Sequence, residues 1–356
     1  MKPAASDEVL TRREGRAGRI TMNRPKALNA LTHGMVRRIW DALAAWKNDP
    51  AVELVLLDGA GDRGLCAGGD VRSLYESRMG GTAYARSFWR DEYRLNALIG
   101  RYPKPYVAIM DGIVMGGGIG LSAHGTHRIV TERSQLAMPE TGIGLIPDVG
   151  GTWLLGRAPG EAGIYLGLTG ESMGPADAIH AGFADSYVPS AALPALADRL
   201  CDPAAGAVGA VIGGLAQTPG VSGLARRRDD IDRAFARDTV DAIIAALESS
   251  PDEWATKAGA ALARKSPKSL KLTLAAVRRA RHLRRLDDAL RLEYRLTVRL
   301  FEDGEFLEGV RAQIIDKDRK PKWSPPALAD VTHDLVERYL APLAATEELT
   351  FEGHDR

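Results

Sequence analysis

Apolar residues at Leu31, Met35, Ile39, Leu43 and Trp46 recur every three or four positions, which predicts an amphipathic helix ending near Asn48-Asp49-Pro50. Before it, Ile20 to Met22 reads as the end of a strand, stopped by Asn23-Arg24-Pro25 because proline and the residue before it leave a ladder. After it, Val52 to Leu57 is almost wholly apolar, the pattern of a strand buried on both faces. The same period-switching continues with a helix over 82–100, a strand over 105–111, a helix over about 117–125 and a strand over Arg128 to Thr131. Two short helices follow in 158–189, then a strand-like exit over Ala184 to Val188. Strands alternating with helices through short links predict an α/β fold with parallel strands.

The pattern then changes. Residues 191–250 are rich in alanine and glycine with little strand signal, and 206–223 reads as a loose connection. From Asp252 onward the chain reads as helical, with Ser266-Pro267 as an N-cap and first helical position ahead of Leu270, Leu274 and Val277, and with Leu286, Leu290, Tyr294 and Leu296 in the next helix. Three parts are therefore expected: 1–190, a variable connection over 191–250, and a helical region over 251–356.

Composition narrows the function classes. The chain has 356 residues, 45% of them hydrophobic and 26% charged, as in an ordinary globular protein with a core. Its 47 basic residues balance 46 acidic ones, so no global field favours nucleic acid or an anionic membrane. The arginines at 278, 279, 281, 284 and 285 form a local basic cluster, readable as a solvated face or as a contact for ligand phosphates. Two cysteines, Cys66 and Cys201, give neither a disulfide framework nor a zinc spacing, and point to reducing cytoplasm. The first twenty residues lack the apolar core of a signal peptide, and Asp7 and Glu8 count against a transit peptide. No apolar run has the length of a membrane span.

Chemistry concentrates in 105–157. A strand feeds the triple glycine Gly116-Gly117-Gly118, and two acids follow, Glu140 and Asp148, each just after a proline. Glycine lets backbone approach a ligand closely, and a helix starting there aims N–H groups at negative charge. Gly68-Gly69 is a second place with exposed amides, ahead of Asp70, which is placed to cap a helix or to meet a ligand. Asp148 is equally suited to capping the helix after Val149, and Glu140 to being an ordinary loop carboxylate. Glu92, on a helix with acidic residues, reads as solvated; His124 and His127 read as packed, and Cys66 as a buried apolar filler.

The stretches ITMNRPKALNAL (20–31), LCAGGDVR (65–72) and GIVMGGGIGLSAHG (112–125), in this order, resemble the crotonase, or enoyl-CoA hydratase/isomerase, superfamily. The resemblance implies a spiral of ββα and βαβ turns that binds acyl-CoA and carries its site in the part up to 190. It also implies two backbone donors for the thioester oxygen, here Gly69 and Gly117. A hydratase of this family carries a glutamate two residues after the triple glycine and another at the Pro-Glu position. Here the first is Gly120 and only Glu140 is present, while Asp148 stands where hydratases have a small residue. MPETGIGLIPDVGGTWLL (138–155), SPKSLKLTL (266–274), the stretch 90–118 and the stretch 293–323 resemble the 3-hydroxyisobutyryl-CoA hydrolase branch.

That branch implies thioester hydrolysis of a short 3-hydroxyacyl-CoA as in valine catabolism, with Glu140 as base or nucleophile, Asp148 orienting the substrate hydroxyl or water, and Glu92 contacting substrate. It calls for no metal and no cofactor beyond the coenzyme A of the substrate. The rivals are a hydratase or isomerase using Glu140, a non-catalytic acyl-CoA-binding or assembly protein on this scaffold, and a nucleic-acid role through the arginine cluster. A homo-oligomer is compatible with the family; no nucleic-acid or membrane partner is expected.

Overall fold

In the computed structural model, which describes residues 8–351, contacts divide the chain into two compact units. The first runs to Asp70 and takes in Arg94–Ala137 and Ser172–Ala225; the second comprises Val71–Tyr93, Met138–Glu171 and the chain from Arg226. Contacts therefore interleave along the chain, whereas composition changes at 190 and 250. The segment before Glu8, read above for targeting signals, lies outside the described residues.

The first unit is built on a six-stranded sheet. Its strands are β1 (Val9–Glu14), β2 (Ala17–Met22), β3 (Leu54–Gly59), β4 (Tyr106–Met110), β6 (His127–Val130) and β8 (Ser186–Tyr187), hydrogen-bonded in that order. Only β1 and β2 pair antiparallel, Val9 opposite Met22; every later pair is parallel, starting with Ala17 opposite Leu54. The expected run in β3 is buried along nearly its whole length, because both faces of a parallel sheet are covered. The predicted amphipathic helix is His33–Trp46, with Thr32 accepting from the Met35 amide at its N-cap. A second sheet, β5 (Ile113–Met115) with β7 (Gln135–Ala137), also pairs parallel. Single bridges between Cys66 and Val114 and between Leu136 and Met173 extend it, giving the turns of a spiral.

The loose connection expected over 206–223 is found over 214–222, which holds no helix and only an isolated bridge at Gln217, while Val208–Gly213 within it is a helix. Residues 193–248 hold helices Leu193–Cys201, Val208–Gly213, Gly223–Arg226, Arg228–Phe235 and Val240–Glu248. Leu196, Leu200, Val208 and Ile212 pack on one face of the sheet with Leu54, Leu56 and Val107, so the alanines allow close helix packing there.

The second unit is helical. Ser266 caps the Pro267–Ala280 helix by accepting from the Ser269 amide at 3.0 Å, as its sequence predicts. The arginine cluster is engaged in ion pairs: Arg278 with Asp238, Arg279 with Glu337, Arg281 with Glu161 and Arg285 with Asp287. Among the described residues, no helix is long and apolar enough to cross a membrane.

Candidate active site

Within the first unit, the two glycine loops lie side by side. The Cys66 amide donates to the Ile113 carbonyl at 3.2 Å, and the Met115 amide donates to the Cys66 carbonyl at 3.0 Å. Leu31 bonds on both sides of Gly69, donating to the Gly68 carbonyl at 2.8 Å and accepting from the Asp70 amide at 2.9 Å. In a parallel bridge this turns the N–H of Gly69 itself to the opposite edge. Gly117 is the first residue of the Gly117–Ser122 helix, so its amide has no acceptor within that helix. Gly68, at φ +113°, brings the loops together: a Cβ built there would lie 3.9 Å from the Gly117 nitrogen. Two amides on adjacent loops are the donors an oxyanion requires. Asp70 pairs with Arg24 at 3.1 Å.

Gly118 is the residue these loops cannot replace. A Cβ on it would sit 2.3 Å from the Cys66 carbonyl oxygen, a backbone atom with no freedom to rotate away. Gly118→Ala is expected to destabilise the fold by about 1–3 kcal/mol through overpacking. Urea denaturation measures this, and an unchanged midpoint would show that the two loops part without cost.

The carboxylates lie in the second unit. Glu92 and Tyr93 sit on the Ala83–Gly100 helix; Glu140 opens the one-turn Glu140–Ile143 helix; Asp148 precedes the Gly151–Arg157 helix. All four side chains are buried. The expectation that Glu92 is solvated is thus corrected: it is 2% exposed, because its helix lies deep in the packing rather than on the surface. Among the described residues, Glu92 Oε1 and Glu140 Oε2 have no hydrogen-bond partner. An acceptor oxygen left so is costly to the fold and open to a ligand.

Asp148 does not cap the following helix with its side chain. The Tyr93 hydroxyl donates to Asp148 Oδ2 at 2.6 Å and also lies 3.4 Å from Thr297 Oγ1. The helix start is taken instead by Glu293, from the Leu286–Glu302 helix. Its Oε2 accepts from the Gly150 amide at 2.7 Å, and its Oε1 accepts from the Thr152 amide at 2.9 Å and the Thr152 hydroxyl at 2.5 Å. Glu293 does not stand out in the sequence as a site residue. Its signal is a charged residue on the apolar stripe, three positions after Leu290 and four before Thr297.

Burial raises every one of these acids. It lifts Asp148 from 3.8 to about 6 against the opposing hydrogen bond from Tyr93. Burial raises Glu293 as well, while the three donors on its two oxygens, from Gly150 and Thr152, favour the ionised form and oppose that rise. Glu92 and Glu140 are both pushed well up, first by burial and then by the Asp148 charge. Lys265 pulls Glu140 back down; burial in turn lowers the lysine, and the Glu140 charge opposes that fall. A buried carboxylate raised in this way is a stronger proton acceptor than one in water. Among the described residues, no three His, Cys, Asp or Glu side chains are grouped to hold a metal ion.

Residues 17–340 match the family model described as enoyl-CoA hydratase/isomerase. The chain is 41% identical over 353 residues to the mitochondrial 3-hydroxyisobutyryl-CoA hydrolase of Danio rerio, covering 96% of this chain and 92% of that one. With the Homo sapiens protein of the same name it shares 38% over 351 residues, covering 96% and 91%. Among solved structures, one described as a carnitinyl-CoA dehydratase from Mycobacterium thermoresistibile superposes with a TM-score of 0.93 at 51% identity, over 98% of this chain and 99% of that one. Another, described as an enoyl-CoA hydratase from Rhodobacter sphaeroides, superposes with a TM-score of 0.88 at 48% identity, over 97% of this chain and 100% of that one. The glycine loops, the sheet spiral and the helical C-terminal region thus share one origin: the chain belongs to the enoyl-CoA hydratase/isomerase family and has its crotonase fold.

Proposed function

We propose that this chain hydrolyses the thioester of a short 3-hydroxyacyl-CoA, foremost 3-hydroxyisobutyryl-CoA to 3-hydroxyisobutyrate and CoA, a step of valine catabolism. The observation that carries this reading is the acid set: Glu140 and Asp148 are buried together in one unit, while the position for a hydratase's other glutamate is Gly120. Syn addition of water to a double bond uses two carboxylates around one water, and Gly120 cannot supply one.

In the reaction, the amides of Gly69 and Gly117 receive the carbonyl oxygen as it gains charge, each worth roughly 2.7–4 kcal/mol of barrier. As general base, Glu140 takes a proton from water while the water oxygen bonds to the thioester carbon and the C=O electron pair moves to oxygen. Collapse re-forms the carbonyl and breaks the C–S bond, and the proton passes from Glu140 to the leaving thiolate. As nucleophile, Glu140 instead displaces the thiolate to form a mixed anhydride, which water then cleaves. Both routes give the acid and free CoA. Asp148 orients the substrate 3-hydroxyl or the water, and Glu92 contacts substrate. Coenzyme A enters as part of the substrate; no further cofactor or metal is invoked.

Hydration is the second reading, because two solved structures about half identical to this chain are described as a dehydratase and a hydratase. Separate incubations with 3-hydroxyisobutyryl-CoA and crotonyl-CoA distinguish them. Thiol release from the first, with little loss of enoyl absorbance from the second, is expected; the reverse would replace hydrolysis by hydration. No turnover of either, with tight acyl-CoA binding, would leave a binding protein on this scaffold. Cytoplasm is the compartment suggested by the cysteine usage of the sequence, the animal relatives carry "mitochondrial" in their names, and cell fractionation decides between the two. A homo-oligomer fits the family and is checked by light scattering.

A further inference from the structure

The turn that presents Asp148 is backbone of an unfavourable kind. Val149 has φ +53° and Gly150 φ +83°, and the Gly151 amide donates to the Asp148 carbonyl at 2.6 Å. Two central residues at positive φ closed by that bond make a type I′ turn, which normally takes glycine, asparagine or aspartate at both positions. Here a β-branched valine occupies the first, a conformation that persists only where surrounding structure enforces it. The enforcing group is the Glu293 carboxylate, which engages Gly150 through one oxygen and Thr152 through the other, so that it spans the end of the turn. One turn further along the same helix, Thr297 lies against the Tyr93 hydroxyl that donates to Asp148 Oδ2.

We propose that Glu293 is a positioning residue for Asp148: it locks the backbone that carries Asp148, while Tyr93, backed by Thr297, fixes the carboxylate itself. The Leu286–Glu302 helix thereby sets Asp148 from two sides. Glu293 has no role of its own in bond making, since both of its oxygens are occupied by donors of the turn and helix start. This inference rests on the proposed role of Asp148 in hydrolysis.

Glu293→Gln keeps the volume and one carbonyl acceptor but turns an NH2 toward one of the two amides, so it releases half of the clamp. Steady-state hydrolysis of 3-hydroxyisobutyryl-CoA is expected to show kcat lowered 10- to 100-fold with KM within about threefold, the signature of misplacement rather than lost substrate binding. A double-mutant cycle separates positioning from mere support of the fold. If Glu293 acts through Asp148, then adding Glu293→Gln to Asp148→Asn costs less than threefold beyond the single Asp148→Asn variant. An equal fold loss in both backgrounds, or an unchanged kcat in Glu293→Gln, overturns the proposal.

Thr152→Val removes only the hydroxyl donor to Glu293 and leaves the backbone intact. It is expected to lower kcat about three- to tenfold with the same loss of effect in the Asp148→Asn background, and it carries the test alone if Glu293→Gln fails to fold. Full activity in Thr152→Val in that case overturns the proposal. Failure of the underlying reading looks different: Asp148→Asn itself would then turn over at the wild-type rate.

Discussion

Glu140→Gln is expected to lower kcat for thioester hydrolysis by about 10²–10⁴-fold, the range set by loss of a positioned base, with KM changed little. The introduced glutamine fills the same buried volume but can neither take a proton nor attack carbon. Because burial and the Asp148 charge raise Glu140, wild-type activity should climb with pH along an arm whose midpoint lies above the ordinary carboxylate range. An arm centred near 4 would mean that Glu140 is solvated in the working enzyme. Single turnover in water enriched in heavy oxygen is a one-sided test of the two routes: label found in Glu140 means a mixed anhydride opened at the enzyme carbonyl, whereas label confined to the product is shared by a general base and by an anhydride opened at the substrate carbonyl.

What could be read ahead of the structure depended on how far apart in the chain the relevant partners lie. Leu31 to Trp46 announces its helix because its pattern is local and its cap, Thr32, is adjacent. The apolar run of β3 likewise announces burial on two faces. Leu196, Leu200, Val208 and Ile212 were illegible among alanines and glycines, since only the sheet they cover makes them core. Gly116 to Gly118 was legible as a turn, but the reason Gly118 cannot be alanine is the carbonyl of Cys66, some fifty residues earlier. At the acids the contrast is sharper. Glu140 and Asp148 stand out by their prolines and by the pattern around them. Glu92 stood out only through family resemblance, because a charge on a helix ordinarily signals solvent. Tyr93 is 55 residues from Asp148 and Glu293 is 143 residues from Gly150, and no local rule joins either pair.

Asp148→Asn is expected to cut turnover about 100-fold, as loss of orientation does, and yet to raise stability at neutral pH. The folded-state value of Asp148 is about 6 against an ordinary 3.8, so between those values the folded chain holds more protons than the unfolded one. Stability must therefore fall as pH rises through that window, and the ionised carboxylate is a net burden above it. About two units of displacement correspond to roughly 3 kcal/mol at most, and an asparagine NH2 without an acceptor takes back about 1–3 kcal/mol. The introduced asparagine retains an oxygen to accept from Tyr93, so the packing and the hydrogen bond at 2.6 Å both survive. The gain should be absent at pH 4, where Asp148 is protonated in the folded chain, and should reach about 1–2 kcal/mol at pH 7, read as a few degrees in melting temperature. Melting curves of both proteins across this range decide the matter. A variant less stable than wild type by the same amount at both pH values would mean that Asp148 keeps its ordinary value in the folded chain, with its charge fully compensated there, and that burial of the carboxylate is no burden on the fold.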